Sequence, residues 1–348
     1  MTGPTVHLVA PATVGDPARP SGGNVYDRRL ALELEHLGLD VRMHAAPGHW
    51  PTPDAADLDA LAATLAALAA DDIVLADGLV ASAAPTVVAR AAESLRVVVL
   101  VHQPLGLVSA ERRDAEAAML RSVAAVVTTS AWTRHWLLAE YDVPRERVVV
   151  AVPGADLAPL ATGTADGGAL LCVGAVTPGK GQDVLVEALG TLASRSWHCT
   201  VVGSLDVDPE FAHGIDSQVR GSVPGRVDLV GPLLGDDLDA AYLAADVLVL
   251  PSRAETYGMV VTEALAHGLP VIASATGGTL EALGHTPAGR VPGLTASPGD
   301  ATALAGALRR WLDDPGLRTE LRAAAGERRP ALPAWRRTAL EVAEALRG

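Results

Sequence analysis

The residues best suited to chemistry lie in two short stretches of the second half of the chain. Residues 174–181 read GAVTPGKG, a glycine-rich turn with one lysine, Lys180, between an apolar run and a helical one. A lysine beside a helix N-terminus favours phosphate, because the ammonium and the free backbone amides both attract an anion. The spacing nearly meets the phosphate loop G-x-x-x-x-G-K-[ST]. It fails at Gly181, where a Ser or Thr hydroxyl should hold Mg²⁺, and no strand ending in a suitable metal-binding Asp follows. An ATPase or GTPase is thus a poor reading. A solvated lysine in a plain turn is the bland alternative, and a nucleoside-diphosphate site without a dedicated metal is the third.

The second stretch, 246–278, reads DVLVLPSRAETYGMVVTEALAHGLPVIASATGG. A buried strand should end at Pro251, a short loop holds Glu255, and a helix should start near Gly258 with Glu263 in its early turns. Gly258 permits close backbone approach where free amides can receive an anion. Two acids eight residues apart are common, and a Glu in a first helical turn often only complements the helix dipole.

The elements that must position these groups alternate along the whole chain. Val-rich runs at 6–10, 41–44, 73–76, 97–102, 124–128 and 148–152 read as strands, with helical segments such as 25–37 and 130–140 between them. Strands apolar on both faces are those of a parallel sheet covered by helices. The rhythm breaks at 153–167, PGADLAPLATGTADG, a Pro/Gly/Thr/Asp-rich linker. A second set follows, with strands at 170–174, 199–203, 227–230, 247–251 and 271–274, then three helical segments after about residue 300. The last of these, 335–346, could cross back onto the first domain. The reading is α/β: two doubly wound Rossmann-like parallel-sheet domains, 1–153 (plus about 332–348) and 168–331, joined by a linker at 154–167 and facing a cleft. Ligands of such sheets bind at the carboxyl ends of strands, which is where these motifs fall.

The 246–278 string resembles the signature of retaining glycosyltransferases of family 4, which have the GT-B fold. Pro251, Ser252, Glu255, Tyr257, Gly258, Glu263, Ala264, Gly268, Pro270, Val271, Gly277 and Gly278 all fall on its pattern. The likeness extends over nearly the full chain. SGGN at 21–24 resembles the glycine-rich loop that approaches the donor diphosphate, VHQP puts His102 at a strand end where the family often carries a donor-site histidine, and VPGAD at 152–156 resembles its linker. VGAVTPGKG resembles V-G-R-L-x-x-x-K-G, placing Lys180 on the phosphate-binding lysine.

The resemblance implies a retaining glycosyltransferase that moves a sugar from a UDP- or GDP-type nucleoside-diphosphate sugar, without metal or bound cofactor. It implies catalytic roles for Glu255, Lys180 and His102. Donor binding would fall to Gly22, Gly23, Lys180, Arg253, Thr256, Tyr257, Gly258, Met259 and Glu263. Glu263 would accept hydrogen bonds from the ribose hydroxyls, since a carboxylate only accepts, and Glu255 would orient the donor sugar. The departing diphosphate would help deprotonate the acceptor, so no side-chain nucleophile is needed. One departure stands out: the family commonly has an Arg where this chain has Ala175. Arg253 is the candidate substitute. A nucleotide-sugar binder, or a relative joining non-sugar rings, is the competing class.

Composition sets the outer limits. The net charge of −14 from 27 basic and 41 acidic residues disfavours nucleic acid and anionic membrane as partners, both of which need clustered positive charge. No secretory signal and no apolar run long enough to span a bilayer is visible, so a cytoplasmic protein is expected. Cys172 and Cys199 lie in apolar runs and read as buried reduced thiols. The acceptor should meet loops near 12–21, 45–54 (with His49 and Trp50) and 104–109. The helix after the third loop carries Arg112, Arg113 and Arg121 against Glu111, Asp114 and Glu116. That balance favours a soluble small-molecule acceptor over strong membrane binding. Oligomeric state is not legible.

Overall fold

A computed structural model describes residues 4–348. The chain divides into two compact units. One takes residues up to Asp16, Gly22–Gly154 and Pro333–Gly348, and the other Pro17–Ser21 and Ala155–Leu332.

The first unit holds a six-stranded parallel sheet in the order β2-β1-β3-β4-β5-β6. Its strands are β1 (Val6–Pro11), β2 (Val41–Ala46), β3 (Ile73–Asp77), β4 (Arg96–Val101), β5 (Ala125–Thr128) and β6 (Val148–Val150). β1, β3 and β5 are buried at every position, as apolar strands covered on both faces must be. Register is pinned by pairs such as Val6–Val41 and Ile73–Arg96. Val74, Val97, Val99, Leu120 and Leu137 form the centre of its core.

The final helix, Trp335–Arg347, is amphipathic and buries Trp335, Thr338, Ala339, Val342 and Leu346 in this first unit. Thr338 Oγ1 donates to the Val152 carbonyl at 2.7 Å, and Arg96 Nε donates to the Leu346 carbonyl at 2.7 Å, satisfying an end-of-helix acceptor. Trp335 packs edge-on against Tyr26 of the helix Gly22–His36. The chain therefore does return to its first unit, as the sequence implied.

The second unit repeats the plan, in the order β12-β11-β10-β7-β8-β9. Its strands are β7 (Ala169–Val173), β8 (His198–Val202), β9 (Val227–Gly231), β10 (Val247–Leu250), β11 (Val271–Ser274) and β12 (Gly293–Ala296). The sequence reading supplied five of these six. β12 was missed because GLTA is four residues long, begins with glycine and sits at the sheet edge. Cys172 and Cys199 are free and buried in this unit's core, and burial pushes the Cys172 thiol up to about 12.

Residues 151–168 form no helix or strand, yet they are fastened. The fully buried Asp246 carboxylate, just before β10, accepts from the Thr164 amide at 2.6 Å and the Ala169 amide at 2.8 Å, and pairs with Arg322. Trp311 Nε1 donates to the Gly167 carbonyl at 2.8 Å. Among the described residues, no helix is long and apolar enough to cross a membrane.

One sequence expectation is corrected in the first unit. Glu116 was counted among the surface charges that balance Arg112, Arg113 and Arg121. It is fully buried, and its carboxylate accepts from the Leu105 amide at 2.9 Å, the Gly106 amide at 2.7 Å and the Tyr141 hydroxyl at 2.5 Å. Three donors offset the cost of burying that charge and lock the 104–106 loop. The charge balance of that helix's surface is therefore more basic than the sequence count.

Candidate functional site

In the second unit, Lys180 closes a 3₁₀ turn, Pro178–Lys180, that follows β7. Gly181 comes next with φ +71°, and the helix Gln182–Gly190 begins. A Cβ on Gly181 would lie 2.3 Å from the Pro251 carbonyl, so only glycine lets this turn touch the end of β10. Lys180 thereby reaches the loop carrying Glu255. Its Nζ donates to Glu255 Oε2 at 2.7 Å, with the lysine about one-third exposed and the glutamate mostly covered. The buried Ser252 lies at 3.4 Å from the same oxygen.

The Glu255 loop is held from below by the glycine pair that ends the signature. The Gly278 amide donates to the Glu255 carbonyl at 2.9 Å. A Cβ on Gly277 would stand 1.7 Å from that carbonyl, and one on Gly278 would stand 2.1 Å from the Thr256 carbonyl. Gly258 then takes φ +94° and opens the helix Met259–Ala266. Neither Gly258 nor Gly181 carries a side chain that could cap its helix. Elsewhere in the unit Asp208, Asp300 and Asp314 accept from the first turns of their helices. The helix start at Gly258 thus has no side-chain cap and suits an anion, whereas at the Gly181 start the Asp183 carboxylate already accepts from the Val184 amide.

The other expected donor residues divide by what they can offer. The Tyr257 side chain is buried in the core and its hydroxyl is pushed well up by that burial, so Tyr257 can offer backbone only, whereas Thr256 is half-buried. Met259 is half-buried at the helix start. Arg253 does not stand free beside Lys180. Its guanidinium makes a bidentate pair with Asp183 at 2.8 and 2.6 Å and donates to the Pro178 carbonyl at 2.7 Å, while its amide donates to the Gly179 carbonyl at 2.9 Å. The side chain that was to replace an arginine at Ala175 is balanced by a carboxylate and staples the Lys180 turn instead.

Glu263 accepts from the Tyr242 hydroxyl at 2.7 Å. Burial raises its carboxyl above the usual range, the Tyr242 bond opposes that, and Asp239 adds to it. Tyr242 is in turn stacked on His267, ring centroids 4.8 Å apart. Tyr242, the partner of the candidate residue Glu263, was missed by sequence reasoning. Its only signal was a tyrosine among the small side chains of DAAYLAAD.

The remaining expected residues lie in the first unit. Gly22 opens the helix Gly22–His36. A Cβ on Gly23 would lie 3.1 Å from the His102 ring, so the glycine admits the imidazole beside the helix start. His102 follows β4 directly. Its Nε2 is 2.8 Å from Asp27 Oδ1 and 3.4 Å from Asp77 Oδ2. Neither aspartate was anticipated, because their meeting depends on α/β topology rather than spacing. Desolvation would lower the His102 pKa, but Asp27 and then Asp77 overcome it and the net shift is upward. Burial, then Asp27, pushes Asp77 up to about 7.

Two groups of described residues bring three metal-type ligand atoms together: Asp27, Asp77 and His102, and His49, Asp54 and Asp57. Asp77 already accepts from the Leu79 and Val80 amides at 2.8 and 3.2 Å, capping the helix Gly78–Ala83. Asp54 and Asp57 form a reciprocal capping box on the helix Ala55–Ala66. Helix capping thus occupies Asp77, Asp54 and Asp57, while Asp27 meets His102 across the fold.

Residues 3–159 match the family profile described as "Glycosyltransferase Family 4", and residues 167–314 match "Glycosyl transferases group 1". A D-inositol 3-phosphate glycosyltransferase of Salinispora arenicola is 34% identical over 58% of this chain and 50% of that protein. One of Kineococcus radiotolerans is 32% identical over 70% of this chain and 60% of that protein. The chain spans about half the length of the curated relatives it matches. Among solved structures, sucrose-phosphate synthase of Thermosynechococcus elongatus overlays with a TM-score of 0.80 at 24% identity, covering 99% of this chain and 98% of that one. Anabaena HepE in complex with UDP-glucose overlays at 0.79 and 17% identity, covering 99% of both chains. These likenesses show the fold. With one profile on each unit and both six-stranded sheets matched, the chain belongs to the family 4 and group 1 glycosyltransferases of the GT-B fold.

Proposed function

We propose that this protein is an active retaining glycosyltransferase that takes a sugar, a hexose in the first instance, from a UDP- or GDP-type donor. The single observation that carries the proposal is the Lys180–Glu255 pair, set beside the helix start at Gly258, which has no side-chain cap. On donor binding, the β-phosphate replaces Glu255 as the partner of Lys180. Glu255 is then free to accept from a hydroxyl of the donor sugar. Glu263, held by Tyr242, accepts from the ribose hydroxyls. Arg253 acts on the donor through the turn it staples. The bond between the anomeric carbon and the diphosphate oxygen breaks, and the acceptor oxygen bonds to that carbon on the same face. The acceptor proton passes to the departing diphosphate. Positioning and stabilisation of the leaving group supply the rate, with no metal and no bound cofactor.

A soluble small molecule is the proposed acceptor. The name of the two relatives described above, D-inositol 3-phosphate glycosyltransferase, supports that class. Two free, buried cysteines suit a reducing compartment, and we place the protein in the cytoplasm. A thermal-shift panel of UDP-, GDP-, ADP- and dTDP-sugars, with ATP plus Mg²⁺ as control, tests the donor class. UDP- or GDP-sugars should raise the midpoint with EDTA present. Stabilisation by ATP plus Mg²⁺ alone would contradict the proposal.

A further inference from the structure

Two buried carboxylates and one imidazole share a space in the first unit. Asp27 is fully buried, Asp77 nearly so, and the His102 side chain is 18% exposed. Asp27 Oδ1 meets His102 Nε2, while Asp27 Oδ2 has no hydrogen-bond partner among the described residues. A buried carboxylate with one orphan oxygen is costly unless a cation faces it. The group that faces it is the His102 ring, whose pKa Asp27 and then Asp77 raise. Tyr26, edge-on to the ring at 5.1 Å, spends its hydroxyl on the Ala151 carbonyl. Gly23 packs against the ring from the helix start. The ring is thus held by Asp27, Asp77, Tyr26 and Gly23, and its Nδ1 makes no hydrogen bond among the described residues.

We propose that Asp27 is a positioning residue for His102, seating the ring through Nε2 and keeping it cationic, so that Nδ1–H and the positive charge are offered to the donor. This rests on the reading that His102 meets the donor. Asp77 is the secondary partner. Its own backbone bonds tie the ring's seat to the helix Gly78–Ala83, and its longer distance gives it the smaller share.

The test is an NMR titration of the His102 ring in the intact protein, with His102→Gln used for assignment. His102 should titrate above its ordinary 6.5 in the native protein. In Asp27→Asn it should titrate about one unit lower or more, as loss of an adjacent opposite charge requires. A smaller downward shift is expected in Asp77→Asn. The alkaline fall of kcat/KM should move to lower pH in Asp27→Asn, which a purely structural role would not produce. A native His102 titrating at or below 6.5, or a folded Asp27→Asn titrating like the native protein, overturns the proposal. Should Asp27→Asn fail to fold, the native and Asp77→Asn titrations decide alone. Because the titration needs no turnover, its outcome is separable from failure of the glycosyltransferase reading, which donor-binding measurements report.

Discussion

At the residue scale, donor binding depends on which charges are free and which are already paired. Lys180 and Glu255 hold each other at 2.7 Å, and in the proposed function a donor phosphate replaces Glu255 as the partner of Lys180. Glu255→Gln keeps the shape but loses the charge that answers Lys180 and the developing positive character of the sugar. We expect kcat to fall by about 10²-fold or more while UDP affinity changes by less than about threefold, as for an interaction made chiefly in the transition state. Steady-state kinetics with calorimetry of UDP checks this. Asp77 gives a prediction on stability. Its folded pKa of about 7 lies above its unfolded value of 3.8, so the folded protein holds a proton that the unfolded chain has released. Folding stability therefore falls as pH rises between those two values. The raised pKa of His102 acts in the same direction, its stabilisation being lost as pH rises through the folded value. Asp77→Asn can keep the cap on the Leu79 and Val80 amides and remove the titration. It should lose less stability than the native protein as pH rises from 3.8 to about 7, the span of the two Asp77 values, read from urea midpoints at each pH.

At the element scale, the site is made by turns that bring strand ends together, and glycine decides whether they can meet. Gly277 takes φ +54° and lies under the Glu255 carbonyl. Gly277→Ala adds a left-handed alanine and a clash with backbone, which together should cost more than about 2 kcal/mol. We expect a lower urea midpoint and weakened donor binding, since the loop that shifts is the one carrying Glu255. An unchanged midpoint would show that the loop is not held as described. Much of this was legible in the chain. The strand rhythm, the helix starts at Gly181 and Gly258 and the Glu255 loop could be read because buried parallel strands and glycine turns leave local signals. β12 could not be read, because four residues at a sheet edge have no period to detect. The Asp27–Asp77–His102 and Glu116–Tyr141 groups also escaped, since each joins residues 25 or more positions apart through the tertiary fold. Arg253 was legible as a cation near the site, but its pairing with Asp183 depends on where one turn sits above another.

At the scale of the whole molecule, a net charge of −14 coexists with a proposed anion site. The local field must come from a few placed groups: Lys180 and the helix start at Gly258, which has no side-chain cap. With Ala175 in place of the usual arginine and Arg253 tied to Asp183, Lys180 is the side-chain cation on which donor binding should chiefly depend. The most direct test is isothermal titration of UDP and GDP into native protein and Lys180→Ala, with EDTA present and folding confirmed by circular dichroism. The account predicts that at least one nucleotide binds the native protein, and that Lys180→Ala weakens it by about 1.5–3 kcal/mol, roughly 10- to 150-fold, as loss of a charged hydrogen bond implies. Equal affinity in the folded variant, or no binding of either nucleotide to the native protein, would contradict it.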